Sequence, residues 1–215
     1  METLAVIFDC DGTLVDSEVL GHEVLCRCIG EFGLELSIEE SMRRFKGGKM
    51  ADCVVELETQ IGRKLPDTFV PKFRRLCEEV FEERLLPIDG AHELLTQLQL
   101  PYCIASSGPR EKIALNLRVT GLTSFFGDRI FSAYDVGVWK PDPGLFLHAA
   151  EAMKVSPARC AVIEDRVPGY EAGVAAGMRV FALEGDRVPA ALAESVQVIE
   201  CLLDLLPLLN PASCV

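Results

Sequence analysis

Histidine is scarce in this 215-residue sequence, with only His22, His92 and His148, and none of them has the H-x-x-x-H or Cys/His spacing of a metal-binding pair. Zinc chemistry is therefore not expected. His148 falls in the apolar stretch Phe146 to Ala150 and reads as a packed structural residue. Positive charge is also short: 21 Lys and Arg face 33 Asp and Glu, a formal net charge of −12. A surface of that sign does not neutralise a phosphate backbone, which excludes DNA or RNA as the bulk partner. Long apolar runs are missing too. The longest, such as Leu4 to Phe8, fall far below a membrane span, and Met1-Glu2-Thr3 offers no basic start to a secretory signal, so a cytoplasmic location is expected. Cysteine is not scarce, but its nine copies are odd in number and include no C-x-x-C pair. Several, such as Cys103 and Cys160, sit in apolar segments, as expected of reduced, mostly buried thiols.

What is present is a repeated strand-then-helix rhythm. Leu4-Ala5-Val6-Ile7-Phe8 is a continuous apolar run that suits a strand buried on both faces of a parallel sheet, and similar runs recur at 102–105, 130–133, 160–163 and 179–183. Between them lie helical segments whose entries carry proline: Pro109, Asp142-Pro143 and Ser156-Pro157. The alternation predicts an α/β fold with a doubly wound parallel-sheet core. After Val196 the tail reads as a last strand and a docking helix.

Residues from about Ser17 to Leu85 break the rhythm with four helical stretches and no convincing strand. Val19, Leu20, Val24, Leu25, Cys28, Ile29 and Phe32 share one helical face, Ser37-x-x-Glu40 forms a capping box, and Asp67 is placed to cap 68–84. The expected division is an α/β core from 1–15 and 87–215 and an inserted α-helical cap from 16–86.

The chemistry gathers at strand ends. Asp9-Cys10-Asp11-Gly12-Thr13 puts two carboxylates at the carboxyl edge of the first strand, where open α/β sheets bind ligands. Both side chains facing one crevice would repel each other without a cation, and carboxylate with carbonyl ligands suits Mg²⁺. An ordinary acidic turn is the alternative. Glu164-Asp165 follows another strand and alone would serve equally as a pair of capping acids, but with the first pair it makes a cluster that a cation would stabilise. Ser106 and Ser107 precede Gly108-Pro109 at a helix entry, which is either a natural anion site or a plain N-cap. Lys140 stands before Pro141-Asp142-Pro143, where it would otherwise read as a surface lysine.

Taken in order, Phe8-Asp9-Cys10-Asp11-Gly12-Thr13-Leu14-Val15-Asp16-Ser17-Glu18, Ala105-Ser106-Ser107, Lys140-Pro141-Asp142-Pro143 and Glu164-Asp165, with Gly169, Ala172 and Ala176-Gly177-Met178, resemble the four motifs of the haloacid dehalogenase superfamily. The helical insert resembles that superfamily's small cap, as in phosphatases and phosphomutases of the β-phosphoglucomutase and phosphoglycolate phosphatase type. The resemblance implies an Mg²⁺-dependent phosphatase acting on a small phosphorylated metabolite. Asp9 would be the nucleophile that becomes an aspartyl-phosphate, and Asp11 the acid and base. Ser106 and Lys140 would hold phosphoryl oxygens. Asp9, the Asp11 carbonyl and Asp165 would ligate the metal, with Glu164 helping directly or through water. The presence of Asp11 favours phosphoryl transfer over dehalogenation. Arg166 stands where the family usually has Ser, and is either a positive group near the site or a surface charge.

Within the insert, Arg44-Phe45-Lys46-Gly47-Gly48-Lys49 is expected to join two helices and to present Arg44, Lys46, Gly47 and Lys49 to the polar end of a substrate, with Ser107 contributing from the core; a solvated basic loop is the alternative. The motifs with this loop look most like the sugar-phosphate and 6-phosphogluconate phosphatases. A phosphomutase shares every residue named, but the β-phosphoglucomutase pattern carries a His where Gly21 stands here, with His22 beside it. A non-catalytic sugar-phosphate-binding regulator would have lost a reacting group, and none is lost. A monomer or weak dimer is expected.

Overall fold

A computed structural model describes residues 2–183 and 187–209. In chain order the elements are β1 Ala5–Phe8, α1 Glu18–Gly30, α2 Ile38–Phe45, α3 Met50–Ile61, α4 Phe69–Arg84, α5 Ala91–Gln97, β2 Tyr102–Ser106, α6 Arg110–Val119, α7 Thr123–Phe126, β3 Ile130–Ser132, α8 Ala133–Val136, α9 Gly144–Ala152, β4 Cys160–Glu164, α10 Val167–Ala175, β5 Arg179–Leu183, β6 Val196–Ile199 and α11 Leu205–Leu209. The chain divides into two compact units, 1–15 with 87–215 and 16–86.

All strands of the first unit are parallel, in the order β3-β2-β1-β4-β5-β6. The strand order turns at β1, which has β2 on one side and β4 on the other. That reversal opens a crevice at the carboxyl end of β1. The sheet is doubly wound. Ala5 and Ile7 pack with Leu145, Phe146, Ala149 and Ala150 of α9 and with Tyr170 and Ala172 of α10. The alternate residue Phe8 meets Tyr102 and Phe126 edge-on, with ring centres 6.2 and 6.5 Å apart. Burial on both faces explains why β1 is continuously apolar rather than alternating. The helical period of α9 turns Leu147 and His148 outward, so His148 is exposed against the edge of Phe131 and is not the packed core residue its apolar surroundings suggest. No helix among the described residues is long and apolar enough to cross a membrane.

The second unit is built from α1 to α4, with α1 packed on α2 and α4. Leu20, Val24, Leu25, Cys28 and Ile29 are buried as the helical face requires, whereas Val19 is 42% exposed. Ser37 caps α2 by accepting the Glu40 N–H, but the Glu40 carboxylate accepts from Arg44. Asp67 does not cap α4. Phe69 starts that helix after a turn in which its N–H reaches the Pro66 carbonyl, leaving Thr68 at the cap position with no side-chain bond. The two chain crossings between units run side by side: Val15 pairs antiparallel with Pro87, and the Asp16 N–H donates to the Leu86 carbonyl at 3.0 Å.

Eight cysteines lie among the described residues and all are free thiols; six are buried, Cys26 is half-buried and Cys201 is exposed. The tail helix α11 docks on α5, and residues 210–215 of the expected tail lie outside the described residues.

Candidate active site

β1 delivers Asp9 into the crevice, its N–H donating to the Ile163 carbonyl of β4 at 2.9 Å. Glu164 ends β4, and Asp165 follows it. All three carboxylates are buried, and each offers an oxygen within 4.8 Å of the others. Lys140 enters from the loop before α9. Its ammonium lies 2.5 Å from Asp9 Oδ1 and 2.7 Å from Glu164 Oε1, with only 5% of the side chain exposed. A lysine that reads as a surface residue is thus the buried counter-ion of the site. Glu164 Oε2 accepts the N–H groups of Asp165 and Arg166 at 2.9 and 3.0 Å, so both of its oxygens are engaged. Arg166 is half-buried as the N-cap residue of α10, not a solvated surface charge.

Two missing side chains make room for this cluster. Gly12 has φ +84°, and a Cβ there would lie closer than 3.0 Å to the Asp165 carboxylate. A Cβ on Gly169 would overlap the Glu164 carboxyl group. The Asp9-to-Val15 loop closes on itself through bonds from the Leu14 and Val15 N–H groups to the Cys10 carbonyl and from the Gly12 N–H to the Val15 carbonyl.

Asp11 leaves this loop toward α6. Its Oδ1 accepts from Asn116 Nδ2 at 2.9 Å and pairs with Lys112 Nζ at 2.8 Å. Ser106 is buried at the end of β2, and its hydroxyl accepts the Gly108 N–H at 3.2 Å. The Ser132 hydroxyl holds the Gly108 carbonyl at 2.7 Å, which fixes the loop opening α6. Ser107 is half-buried in that loop.

Burial pushes the Asp9 carboxyl up to about 6; Lys140 opposes this, while Asp165 and Asp11 add to it. Glu164 is likewise raised to about 6 by burial against the pull of Lys140. Burial acts to lower Lys140, but Asp9 and Glu164 outweigh it and hold the ammonium charged above its ordinary range. Burial, and then Asp11 and Asp9, keep the Cys10 thiol protonated. Three buried carboxylates gather beside the Lys140 ammonium, which contacts Asp9 and Glu164, an arrangement that a hard cation would stabilise. Their oxygen donors are the right chemistry for one.

The haloacid dehalogenase-like hydrolase family model matches residues 3–177, spanning every group just described. The chain belongs to the haloacid dehalogenase-like hydrolases. A relative from Escherichia coli K12, 6-phosphogluconate phosphatase, is 39% identical over 178 residues, covering 82% of this chain and 80% of its own. A HAD family hydrolase of Deinococcus radiodurans R1, solved with bound phosphate and sodium, superposes with a TM-score of 0.76 at 33% identity over 97% of this chain and 95% of the other. A β-phosphoglucomutase-type protein of Thermotoga maritima superposes at 0.77 with 27% identity, covering 99% and 100%.

Within this hydrolase, Asp9, Asp11, Ser106, Lys140, Glu164 and Asp165 come together in one unit, as the motif order implies. Arg44 does not lie in the expected cap loop. It belongs to the last turn of α2, where its guanidinium is bound by Glu40 one turn earlier on the same helix and by Glu56 and Gln60 of α3. The loop itself is Lys46 to Lys49, with Lys46 ending α2, Gly47 at φ +69° and Lys49 before α3. His22 is buried inside the cap, its Nδ1 2.7 Å from the Ser41 hydroxyl. Lys112 and Asn116 were not foreseen from the sequence. The available signal was a polar Asn on the face of α6 that also buries Ile113 and Leu117.

Proposed function

We propose that this hydrolase is an Mg²⁺-dependent phosphatase that releases phosphate from a small phosphorylated metabolite of the sugar-phosphate or phosphogluconate type. The observation that carries the reading is the contact between Asp9 and the buried Lys140 ammonium at the switch point of the sheet. A carboxylate beside a fixed cation is a nucleophile placed where an anionic phosphoryl group also finds countercharge.

In the first half-reaction an Asp9 oxygen bonds to phosphorus as the bond to the leaving oxygen breaks, and Asp11 gives its proton to the departing alkoxide. In the second, water attacks the aspartyl-phosphate, its proton passes to Asp11, and the Asp9–phosphorus bond breaks. Lys140 and the Ser106 loop balance charge on the transferring oxygens in both steps. Asp9, the Asp11 carbonyl and Asp165 would hold Mg²⁺, which supplies further positive charge against the phosphoryl oxygens. Glu164, whose oxygens hold Lys140 and the start of α10, supports this set. Ser107 stands in the phosphoryl loop. Lys46, Gly47 and Lys49 of the cap are the residues proposed to bind the distal end of the substrate, and Arg44, bound by Glu40, Glu56 and Gln60, leaves that set. The free thiols agree with a cytoplasmic setting.

The Thermotoga relative supports a phosphomutase as the second reading. Against it, Gly21 carries no side chain and His22 is bonded to Ser41. A phosphate-release screen with Mg²⁺ over phosphogluconate, hexose and pentose phosphates, phosphoglycolate and nucleotides, beside an assay of β-glucose 1-phosphate isomerisation, separates the two. The proposal expects phosphate release without isomerisation. It also expects Asp9→Asn to abolish turnover of an aryl phosphate, and retained turnover would sink the mechanism.

A further inference from the structure

Asp11 is gripped from a helix that carries none of the four sequence motifs. Lys112 and Asn116 stand one turn apart on α6, on one face, and both direct a donor at the same oxygen, Asp11 Oδ1, at 2.8 and 2.9 Å. Asn116 is wholly buried, on the face that also buries Ile113 and Leu117. Its Oδ1 is buried without a hydrogen-bond partner, so the amide is poorly accounted for as a core-packing choice. An apolar residue would fill that position without stranding an acceptor. Its amide hydrogen-bonds the reacting loop instead, at the Asp11 carboxylate and at the Cys10 thiol.

The consequence for Asp11 is directional. With Oδ1 tied to α6, Oδ2 is turned toward the Ser106 loop: the point where a Cβ on Gly108 would stand is 3.4 Å from Asp11 Oδ2 and 3.5 Å from Ser106 Oγ. We infer that Lys112 and Asn116 are positioning residues that hold Asp11 by Oδ1 and so aim Oδ2, the oxygen on the Ser106 side, to exchange protons with the leaving group and then with water. This rests on the reading of Asp11 as the acid and base. In the first step the Oδ2 proton goes to the leaving oxygen as its bond to phosphorus breaks. In the second, Oδ2 takes the proton that water loses on bonding to phosphorus.

The inference is tested by leaving-group dependence, because an alkoxide needs a proton to depart and a dinitrophenolate does not. kcat/KM, which reports events up to departure of the leaving group, is measured for the best alkyl phosphate of the panel and for 2,4-dinitrophenyl phosphate. Asp11→Asn should raise the aryl-to-alkyl ratio of kcat/KM about a hundredfold or more, the range of general acid catalysis. Asn116→Leu should raise it about tenfold and Lys112→Met severalfold, as partial losses of the same effect. A purely structural role lowers both substrates alike and leaves the ratio unchanged. If the ratio rises in Asp11→Asn but stays within twofold of wild type in the α6 variants, the clamp is refuted and the role of Asp11 stands. If it is unchanged in Asp11→Asn as well, the reading of Asp11 fails and takes the clamp with it. Should Asn116→Leu not fold, Lys112→Met, at a partly exposed position, decides the question.

Discussion

Replacing Lys140 with Met separates the charge of this residue from its shape, since Met keeps an apolar stem beside Phe146, over whose ring the ammonium sits at 4.9 Å. The pairs it breaks are almost fully desolvated: Lys140, Asp9 and Glu164 expose 5%, 9% and 2% of their side chains. Removing one partner from such a buried pair costs about 3–5 kcal/mol, because the remaining carboxylates keep their desolvation penalty and lose the charge that offset it. At about 2–4 °C per kcal/mol for a chain of this size, the metal-free variant should melt about 6–20 °C below wild type at pH 7.5. Acid should narrow the gap. Asp9 and Glu164 have folded values near 6, above the ordinary 3.8 and 4.5, so their contribution to stability is present below the ordinary values and lost as pH rises through about 6. Without Lys140 both rise further, and at pH 5 they are largely neutral and no longer need it. The assay is thermal unfolding in chelator at pH 7.5 and 5, followed by the fluorescence of Trp139, the single tryptophan and the neighbour of Lys140. A gap of the same size at both pH values would mean lost packing rather than lost charge, and no gap at pH 7.5 would refute the counter-ion argument.

Gly169→Ala reverses the usual sign for a helix: propensity alone predicts a gain of about 1 kcal/mol, but the added methyl overlaps the Glu164 carboxyl, an overpacking cost of about 1–3 kcal/mol. A lower urea midpoint together with a lower kcat is expected, and a stabilised, fully active variant would contradict the geometry. Mg²⁺ should raise the melting temperature more at pH 7.5 than at pH 5, since Asp9, proposed as a ligand, must first lose a proton when acid; equal shifts would remove Asp9 from the proposed ligand set. Lys46→Ala and Lys49→Ala should raise KM for sugar phosphates with a charged distal group, and unchanged KM values across the panel would exclude the cap loop.

The sheet was legible because strands buried on both faces must be continuously apolar, as Ala5 to Phe8 and Cys160 to Ile163 are. The candidate-site residues Asp9, Asp11, Ser106, Glu164 and Asp165 were legible because they stand at or just after the ends of such strands, where position in sequence fixes position in the crevice. Residues whose fate depends on a partner many positions away were not. Arg44 reads as a loop cation until Glu56 and Gln60 from α3 are seen around it, and Asp67 reads as a cap until the Pro66 carbonyl takes the Phe69 N–H. His148 sits in an apolar run but one step off its buried face. Asn116 reads as an ordinary helix residue because its carboxylate partner lies 105 positions earlier.

The paired crossings at Val15–Pro87 and Asp16–Leu86 place the two cut ends of the α/β unit directly opposite one another, as in an antiparallel ladder. A gap of that width is closed by a two-residue hairpin turn. The catalytic unit therefore has the connectivity of a self-sufficient chain interrupted at one point, and residues 16–86 behave topologically as an interchangeable cassette: deleting them, or splicing in a different insert, asks the sheet to alter no strand and no crossover.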